Sequence, residues 1–282
     1  MQVFNKSDDL QKQIGALKTK NYTIGFVPTM GALHQGHLSL VQNALQENDF
    51  VVVSIFVNPT QFDNPEDLNK YPRTLERDVN LLKTVSNQLL VYAPTVEDIY
   101  ENTVTSKHFD FNGLEHEMEG KFRAGHFDGV GTVVKKLLEI VKPDKAFFGE
   151  KDFQQLQIIK TLVKKNNIPV TIIGCDIYRE PNGLAMSSRN ERLSESARNE
   201  ASFIYKTLQQ AKIYFGTKSA NEVVKWVEKQ FSNNKTLELE YFTIADETNL
   251  KPVKRKSKSK TYRAFIAVYT ENIRLIDNIG LN

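Results

Sequence analysis

The eight residues Phe50-Val-Val-Val-Ser-Ile-Phe-Val57 form a nearly unbroken run of β-branched and aromatic side chains. A strand with one wet face alternates apolar and polar residues, so a run this continuous predicts a parallel strand covered by helices on both faces. The segments around it keep to that scheme. Tyr22 to Val27 predicts another buried strand, after which Leu38, Val41 and Leu45 recur at helical spacing. Leu75, Val79 and Leu82 mark a helix, Gln88 to Tyr92 a short strand stopped by Pro94, and Val130 to Val141 a helix ended by Pro143. Ala146 to Phe148 and Val170 to Ile173 read as strands, with a helix from Asp152 to Lys165 between them. Repeated strand–helix alternation predicts an α/β fold built on a Rossmann-like, doubly wound parallel sheet. In such sheets ligands sit outside the carboxyl ends of the strands.

The texture changes after Tyr178. Ser194 to Phe215 and Ser219 to Phe231 read as helices, the second opened by a Ser219-Ala-Asn-Glu222 capping box. Leu237 to Ile244, Thr261 to Tyr269 and Ile273 to Asp277 read as strands of alternating polarity. We therefore expect residues 1–177 to form the Rossmann-like domain and residues 178–282 a smaller α+β domain. With 40% hydrophobic and 25% charged residues the chain has the make-up of a soluble globular protein. Its net charge of +3 does not point to nucleic acid. Cys175 is the only cysteine, which excludes an intramolecular disulfide. The amino terminus lacks the basic start and apolar run of a signal peptide, and no apolar stretch has the ~20 residues of a membrane span. The expectation is a soluble cytoplasmic protein without a membrane or nucleic-acid partner.

The chemistry concentrates at strand ends. Between the first buried strand and its helix lies Pro28-Thr-Met-Gly-Ala-Leu-His-Gln-Gly36, followed by His37. Glycine lets backbone approach a ligand, and a helix N-terminus presents amides and a positive dipole end to phosphate. His34 and His37 can donate to phosphate oxygens as negative charge builds up there. After the second strand, Asn58 and Gln61 read either as turn residues or as side chains suited to hydroxyl and carboxylate groups, each offering a donor and an acceptor. Tyr71-Pro-Arg73 and Arg77-Asp78 read as part of a lid or as a helix cap. Asp78 is the candidate for a Mg²⁺ accompanying a bound phosphate group, which needs at most one or two carboxylates.

Gly120 to Thr132 carries closely spaced glycines, with Arg123 suited to a phosphate or carboxylate and His126 without an evident role. Phe148-Gly-Glu-Lys-Asp-Phe-Gln-Gln155 places Lys151 at a strand-to-helix junction, where it can neutralise charge on a transferring phosphoryl group. Gln154 and Gln155 face different ways, so one of them is expected to reach the cleft. Met186-Ser187-Ser188-Arg189 puts two hydroxyls and a guanidinium in one loop suited to a triphosphate. The basic run Lys251 to Lys260 has no aromatic interleaving and reads as a solvated loop, with a nucleic-acid patch as the alternative.

His34-Gln-Gly-His37 resembles the HIGH signature of the nucleotidylyltransferase superfamily, and Met186 to Arg189 resembles its KMSKS loop. Taken jointly, Pro28 to Leu40, Phe56 to Phe62, Arg123 to Val134, Phe148 to Gln155 and Arg179 to Asn190 resemble the pantothenate synthetase (pantoate–β-alanine ligase) family. One departure is Ala124, where many members carry proline before Gly-His-Phe. The C-terminal hundred residues are similar to the family in length and texture only.

The resemblance implies a two-step reaction in which pantoate attacks the α-phosphorus of ATP, and β-alanine then displaces AMP from pantoyl adenylate. It implies an ATP site lined by Met30, Gly31, Ala32, Leu33, His34, Gln35, Gly36 and His37, with His34 and His37 on the phosphates. His37 is there either a proton donor or a stabiliser of charge. Gly149, Glu150, Lys151 and Asp152 would contact ribose and phosphates, Tyr178 the adenine through its backbone, and Met186, Ser187, Ser188 and Arg189 the triphosphate. Gln61 and Gln155 would hold pantoate, Gln61 also lying near β-alanine, with Asn58 and Arg123 close by. ATP would act as a substrate with Mg²⁺ and no prosthetic group, in a homodimer formed through the N-terminal domain. Because an enclosed adenylate escapes hydrolysis, the Met186 loop and the small domain are expected to move over the active site. Another HIGH-type adenylyl- or cytidylyltransferase is the competing enzyme reading. It is set apart by Asn58-Pro-Thr-Gln61 together with Gly149-Glu-Lys-Asp152.

Overall fold

The computed structural model describes residues 1–62, 65–101 and 103–282. The chain divides into two compact units, Met1–Glu150 with Gln154–Asp176, and Ile177–Asn282 with the short segment Lys151–Phe153. The division expected at 177/178 thus falls one residue earlier, and three residues after Glu150 group with the second unit, which no compositional signal marks.

The first unit follows the order β1 (Gln2–Phe4), α1 (Ser7–Lys18), β2 (Ile24–Thr29), α2 (Gln35–Glu47), β3 (Phe50–Ile55), α3 (Pro65–Lys70), α4 (Leu75–Lys83), β4 (Leu90–Tyr92) and α5 (Val96–Tyr100). It continues with α6 (Glu119–Phe122), α7 (His126–Val141), β5 (Lys145–Gly149), α8 (Phe153–Lys165) and β6 (Thr171–Cys175). The six strands pair in parallel in the order β1-β4-β3-β2-β5-β6. Val51, Val52 and Val53 of β3 are all fully buried, as their unbroken run requires. Val27, Val41, Val53, Leu82 and Val91 share one of the hydrophobic clusters. From β2 the chain first winds outward to β3 and β4, then returns to place β5 on the other side of β2. The switch point therefore lies between the carboxyl ends of β2 and β5, where a doubly wound sheet opens its binding crevice.

Two boundaries differ from the sequence reading for physical reasons. Strand β2 runs on through Pro28, which pairs with Ser54 beyond the last β2–β5 pair at Phe26 and Ala146. Helix α7 starts at His126, four residues before its expected start at Val130, and so takes in Gly129 as well as Gly131. A Cβ on Gly129 would lie 2.2 Å from the Thr60 carbonyl oxygen, and one on Gly131 would lie 3.0 Å from the rings of Phe109 and Phe111. These glycines serve close packing of the helix, and that contact outweighs their poor helix propensity.

The second unit holds α9 (Glu195–Glu200), α10 (Ser202–Thr217), α11 (Ala220–Ser232), β7 (Glu238–Asp246), β8 (Tyr262–Thr270) and β9 (Ile273–Gly280). Its strands form an antiparallel sheet ordered β7-β8-β9. Ile204, Leu208, Val223, Val227 and Ile266 meet in its core. The expected capping box is present, with Ser219 Oγ accepting from the Glu222 amide at 3.3 Å and Glu222 accepting from the Ser219 amide at 2.9 Å. The single helix expected from Ser194 to Phe215 is instead two, because the chain tightens at Ala201, whose amide bonds back to both Ala197 and Asn199. Strand β9 outruns its expected end at Asp277, since Asn278, Ile279 and Gly280 pair with Phe265, Ala264 and Arg263 of β8. In the basic run, Lys260 pairs with Asp246 at 2.7 Å. Lys256 lies over the Phe215 ring and donates to the Phe215 carbonyl.

Candidate active site

The loop after β2 is shaped by an internal anion. Gly31 and Ala32 both take left-handed backbone, with φ of +83° and +48°. That turn aims the Ala32 and Leu33 amides at the Asp78 carboxylate, 3.0 Å from Oδ2 and 2.8 Å from Oδ1. The Thr74 hydroxyl donates to the same Oδ1 at 3.3 Å. Successive amides in such a turn make a small anion-binding concavity, and here an aspartate from α4 fills it. Asp78 is fully buried, and each of its oxygens accepts from at least one of these donors. Asp78, the candidate metal ligand of the sequence, thus has a further role that the sequence does not show: it braces the histidine loop. Among the described residues no three His, Cys, Asp or Glu side chains cluster as a metal site.

Beyond this brace the chain enters α2 with His34 as its N-cap. The His34 amide donates to His37 Nδ1 at 3.3 Å, and the two rings stack with centroids 4.0 Å apart. Because Nδ1 accepts from an amide, the neutral His37 ring carries its proton on Nε2. The first turn of α2 contains no acidic residue, so no carboxylate there offsets the positive end of its dipole. Met30, His34, Gly36 and His37 are half-buried and Gln35 is exposed. At the neighbouring strand end, a Cβ built on Gly149 would meet nothing within 4 Å. That open strip and the histidine loop flank the switch point of the sheet.

A second cluster in the same unit sits after β3. Asn58 is buried, with its Oδ1 accepting from the Tyr100 hydroxyl at 2.5 Å and the Thr60 hydroxyl at 3.2 Å, while Nδ2 donates to the Gly129 carbonyl at 3.3 Å. Burial pushes the Tyr100 phenol up, which keeps it a donor at neutral pH. Asn58 therefore fixes the turn Pro59–Gln61 rather than presenting its own amide. The Gln61 carbonyl accepts from His126 Nδ1 at 3.0 Å and from Arg123 at 3.3 Å, and Arg123 Nη1 lies 3.1 Å from His126 Nε2. A carbonyl can only accept, so His126 Nδ1 carries a proton and Nε2 of the neutral ring accepts from Arg123. His126, left without a role by the sequence reading, links Arg123 to Gln61. The only local sign was the three-residue spacing Arg123-Ala-Gly-His126 ahead of a helix.

The pair of glutamines on α8 is resolved by partners. Gln154 is buried, accepting from the Glu119 amide at 3.0 Å and donating to the carbonyls of Leu114 at 2.8 Å and Glu117 at 2.7 Å. Gln155 is half-buried, and with Gln154 committed to these backbone partners it is the candidate of the two.

In the second unit, Lys151 pairs with its neighbour Asp152 at 3.2 Å, and its carbonyl accepts from Asn278 Nδ2 at 2.9 Å. Tyr178 is exposed, and its carbonyl accepts from the Met186 amide at 3.0 Å, closing the turn that leads into the serine loop. Ser187 caps the short turn Ser188–Arg192 by accepting from the Arg189 amide at 3.3 Å. Buried Asn190 ties that turn down through Glu180 at 2.7 Å and the Ala185 carbonyl at 3.1 Å. Met186, Ser187, Ser188 and Arg189 are half-buried.

A parallel doubly wound sheet, with stacked histidines at a helix start beside its switch point, defines an α/β protein of the nucleotide-handling class. Comparison with known proteins makes the assignment particular. The family model described as pantoate-beta-alanine ligase matches residues 2–280. The chain belongs to that family. It is 62% identical over 281 residues to the pantothenate synthetase of Flavobacterium psychrophilum, and 60% identical over 282 residues to that of Christiangramia forsetii, covering 100% of each chain in both cases. Among solved structures, pantothenate synthetase from Thermus thermophilus superposes with a TM-score of 0.91 at 37% identity, over 100% of this chain and 99% of that one. Pantoate-beta-alanine ligase from Francisella tularensis, complexed with beta-gamma ATP and beta-alanine, superposes with a TM-score of 0.80 at 37% identity, over 100% and 98% of the two chains.

Proposed function

We propose that this chain condenses (R)-pantoate with β-alanine to pantothenate, using ATP, in the biosynthesis of pantothenate and coenzyme A. The observation that carries the proposal is the braced histidine loop at the switch point, in a chain matched to the ligase family from end to end. In the first step a pantoate carboxylate oxygen bonds to the α-phosphorus of ATP as the bond to pyrophosphate breaks. In the second the β-alanine amine bonds to the acyl carbon, AMP leaves, and the amine gives up a proton. No electrons change hands, so the chemistry as written needs no prosthetic group.

Bringing a carboxylate to a triphosphate sets two anions together, and positioned cations and amides offset their repulsion. His34 and His37 are assigned to the phosphates, with His37 donating from Nε2. Met30 to His37 and Gly149 to Asp152 serve ATP, with Lys151 near the α-phosphate. Tyr178 serves adenine through its backbone, and Met186 to Arg189 serve the triphosphate. Gln61 and Gln155 hold pantoate, Arg123 offers a cation nearby, and Asn58 keeps Gln61 in place. The adenylate must be shielded from water until the amine arrives, and movement of the Met186 loop and the smaller domain would supply that shielding.

Mg²⁺ is proposed to arrive with the nucleotide, held by phosphate oxygens and its own waters. With Asp78 committed to the loop, the described residues offer no preformed cage, and no step above runs through the metal. On the family resemblance we also propose a homodimer in the cytoplasm. No helix among the described residues is long and apolar enough to cross a membrane.

Exchange of labelled pyrophosphate into ATP tests the first step: it should require pantoate and proceed without β-alanine. Exchange supported equally by unrelated acids would contradict the substrate assignment. A second expectation concerns Gly129, whose packing holds the Gln61 turn. Gly129→Ala places a methyl group against the Thr60 carbonyl, costing about 1–3 kcal/mol of stability as the turn is pushed away. Melting temperature should fall and the KM for pantoate should rise more than that for ATP. An unchanged pantoate KM would separate Gln61 from the acid site.

A further inference from the structure

The dipeptide Asp277-Asn278 lies on β9, far in sequence from every motif discussed above, yet it touches the supports of two of them. Successive strand residues point to opposite faces of a sheet, so the pair reaches two ways. Asp277 takes the guanidinium of Arg179 in a two-point grip, 2.7 Å at Oδ2 and 2.9 Å at Oδ1. Arg179 stacks 3.6 Å from the centre of the Tyr205 ring and donates to the Gly183 carbonyl at 3.0 Å. It also bridges to Ala185, immediately before Met186. Asn278 donates from Nδ2 to the Lys151 carbonyl at 2.9 Å, and its Oδ1 accepts from Arg263 at 2.7 Å. Arg263 is itself held by Glu247 at 2.8 Å and covers the Phe153 ring at 3.9 Å. The segment Lys151–Phe153 is thus fastened to β8 and β9 by a bond at its head and a stacked ring at its tail.

We infer that Asn278 is a positioning residue for Lys151, and that Asp277-Asn278 fixes Lys151 and the Met186–Arg189 loop on one common sheet. The inference rests on the proposed role of Lys151 at the α-phosphate. A lysine ammonium sits at the end of a flexible stem, so its placement depends on how firmly its backbone is held. Holding the Lys151 carbonyl removes backbone freedom from the segment Lys151–Phe153. Asn278 touches no reacting atom; it acts by aiming one that does.

The test is a double-mutant cycle read by pantoate-dependent ATP–pyrophosphate exchange. Asn278→Asp keeps the size of the side chain and an oxygen for Arg263, but faces the Lys151 carbonyl with an acceptor in place of a donor. Asn278→Asp and Asn278→Ala should each lower the exchange kcat on the order of tenfold to a hundredfold, with the pantoate KM unchanged. In a Lys151→Ala background neither should lower it further, because the only route by which Asn278 acts is already gone. A folded Asn278→Asp enzyme with full activity overturns the inference. So does an equal loss in both backgrounds, or a melting temperature that collapses together with activity, since each assigns Asn278 to the fold alone. Near-normal exchange by Lys151→Ala itself identifies a different failure, that of the role given to Lys151, and the inference falls with it.

Discussion

Replacing His37 with alanine is expected to lower pantoate-dependent ATP–pyrophosphate exchange by on the order of a hundredfold or more, the usual cost of losing one preorganised donor to developing charge. The His34 amide donates to His37 Nδ1. That bond leaves the proton of the neutral ring on Nε2. Two further variants separate the roles open to the ring. An asparagine at position 37 keeps a neutral donor but cannot pass a proton on. If His37 stabilises charge, His37→Asn retains more activity than His37→Ala and its rate has the same pH dependence as the wild type. If His37 delivers a proton, the two variants are equally poor. The geometry favours the first outcome, because protonating Nδ1 would set two donors against each other. Stacking at 4.0 Å also opposes a positive charge on both rings.

Asp78→Ala is the second change with a large expected effect, and it acts on the fold of the loop. Removing the carboxylate leaves the Ala32 and Leu33 amides without the acceptors that now lie 3.0 and 2.8 Å away. Buried donors left in that state cost about 1–3 kcal/mol each, so destabilisation of about 2–6 kcal/mol is expected. Asp78→Asn should be nearly as harmful, since a carboxamide has one oxygen where the loop uses two, and its NH₂ would face a backbone N–H. Thermal unfolding measures the stability, and exchange kinetics should show activity falling in step as His34 loses its support. A stable Asp78→Asn protein with normal ATP use at saturating Mg²⁺, and a defect only at limiting Mg²⁺, would restore the metal-ligand reading.

Asp78 also shows what the sequence could and could not reveal. The doubly wound sheet was legible because Val51 to Val53 and their neighbours are buried on both sides, and continuous burial leaves a local pattern. The histidine loop was legible because its glycines and histidines are contiguous. Asp78 meets its partners across 45 and 46 residues, and nothing in Leu75-Glu-Arg-Asp78 announces an anion pocket elsewhere. A carboxylate near a proposed ATP site was therefore read as a metal ligand. The start of α7 was missed for a related reason, at the closely spaced glycines Gly125, Gly129 and Gly131. Their local signal is that of a loop, while the packing of Gly129 and Gly131 against Thr60, Phe109 and Phe111 is tertiary. Asp277 was legible only as the last residue of a strand, and Asn278 carried no signal, since a second polar residue in a row breaks the alternation and reads as the strand's end. Only pairing with β8 shows that the strand continues.

The central claim is that one carboxylic acid, activated at one phosphate, is passed to one amine. Purified enzyme supplied with ATP, pantoate and β-alanine should form AMP, pyrophosphate and pantothenate in equal amounts, with no ADP. Release of ADP, or AMP formed without pantothenate while a different acid or amine supports full turnover, would contradict it.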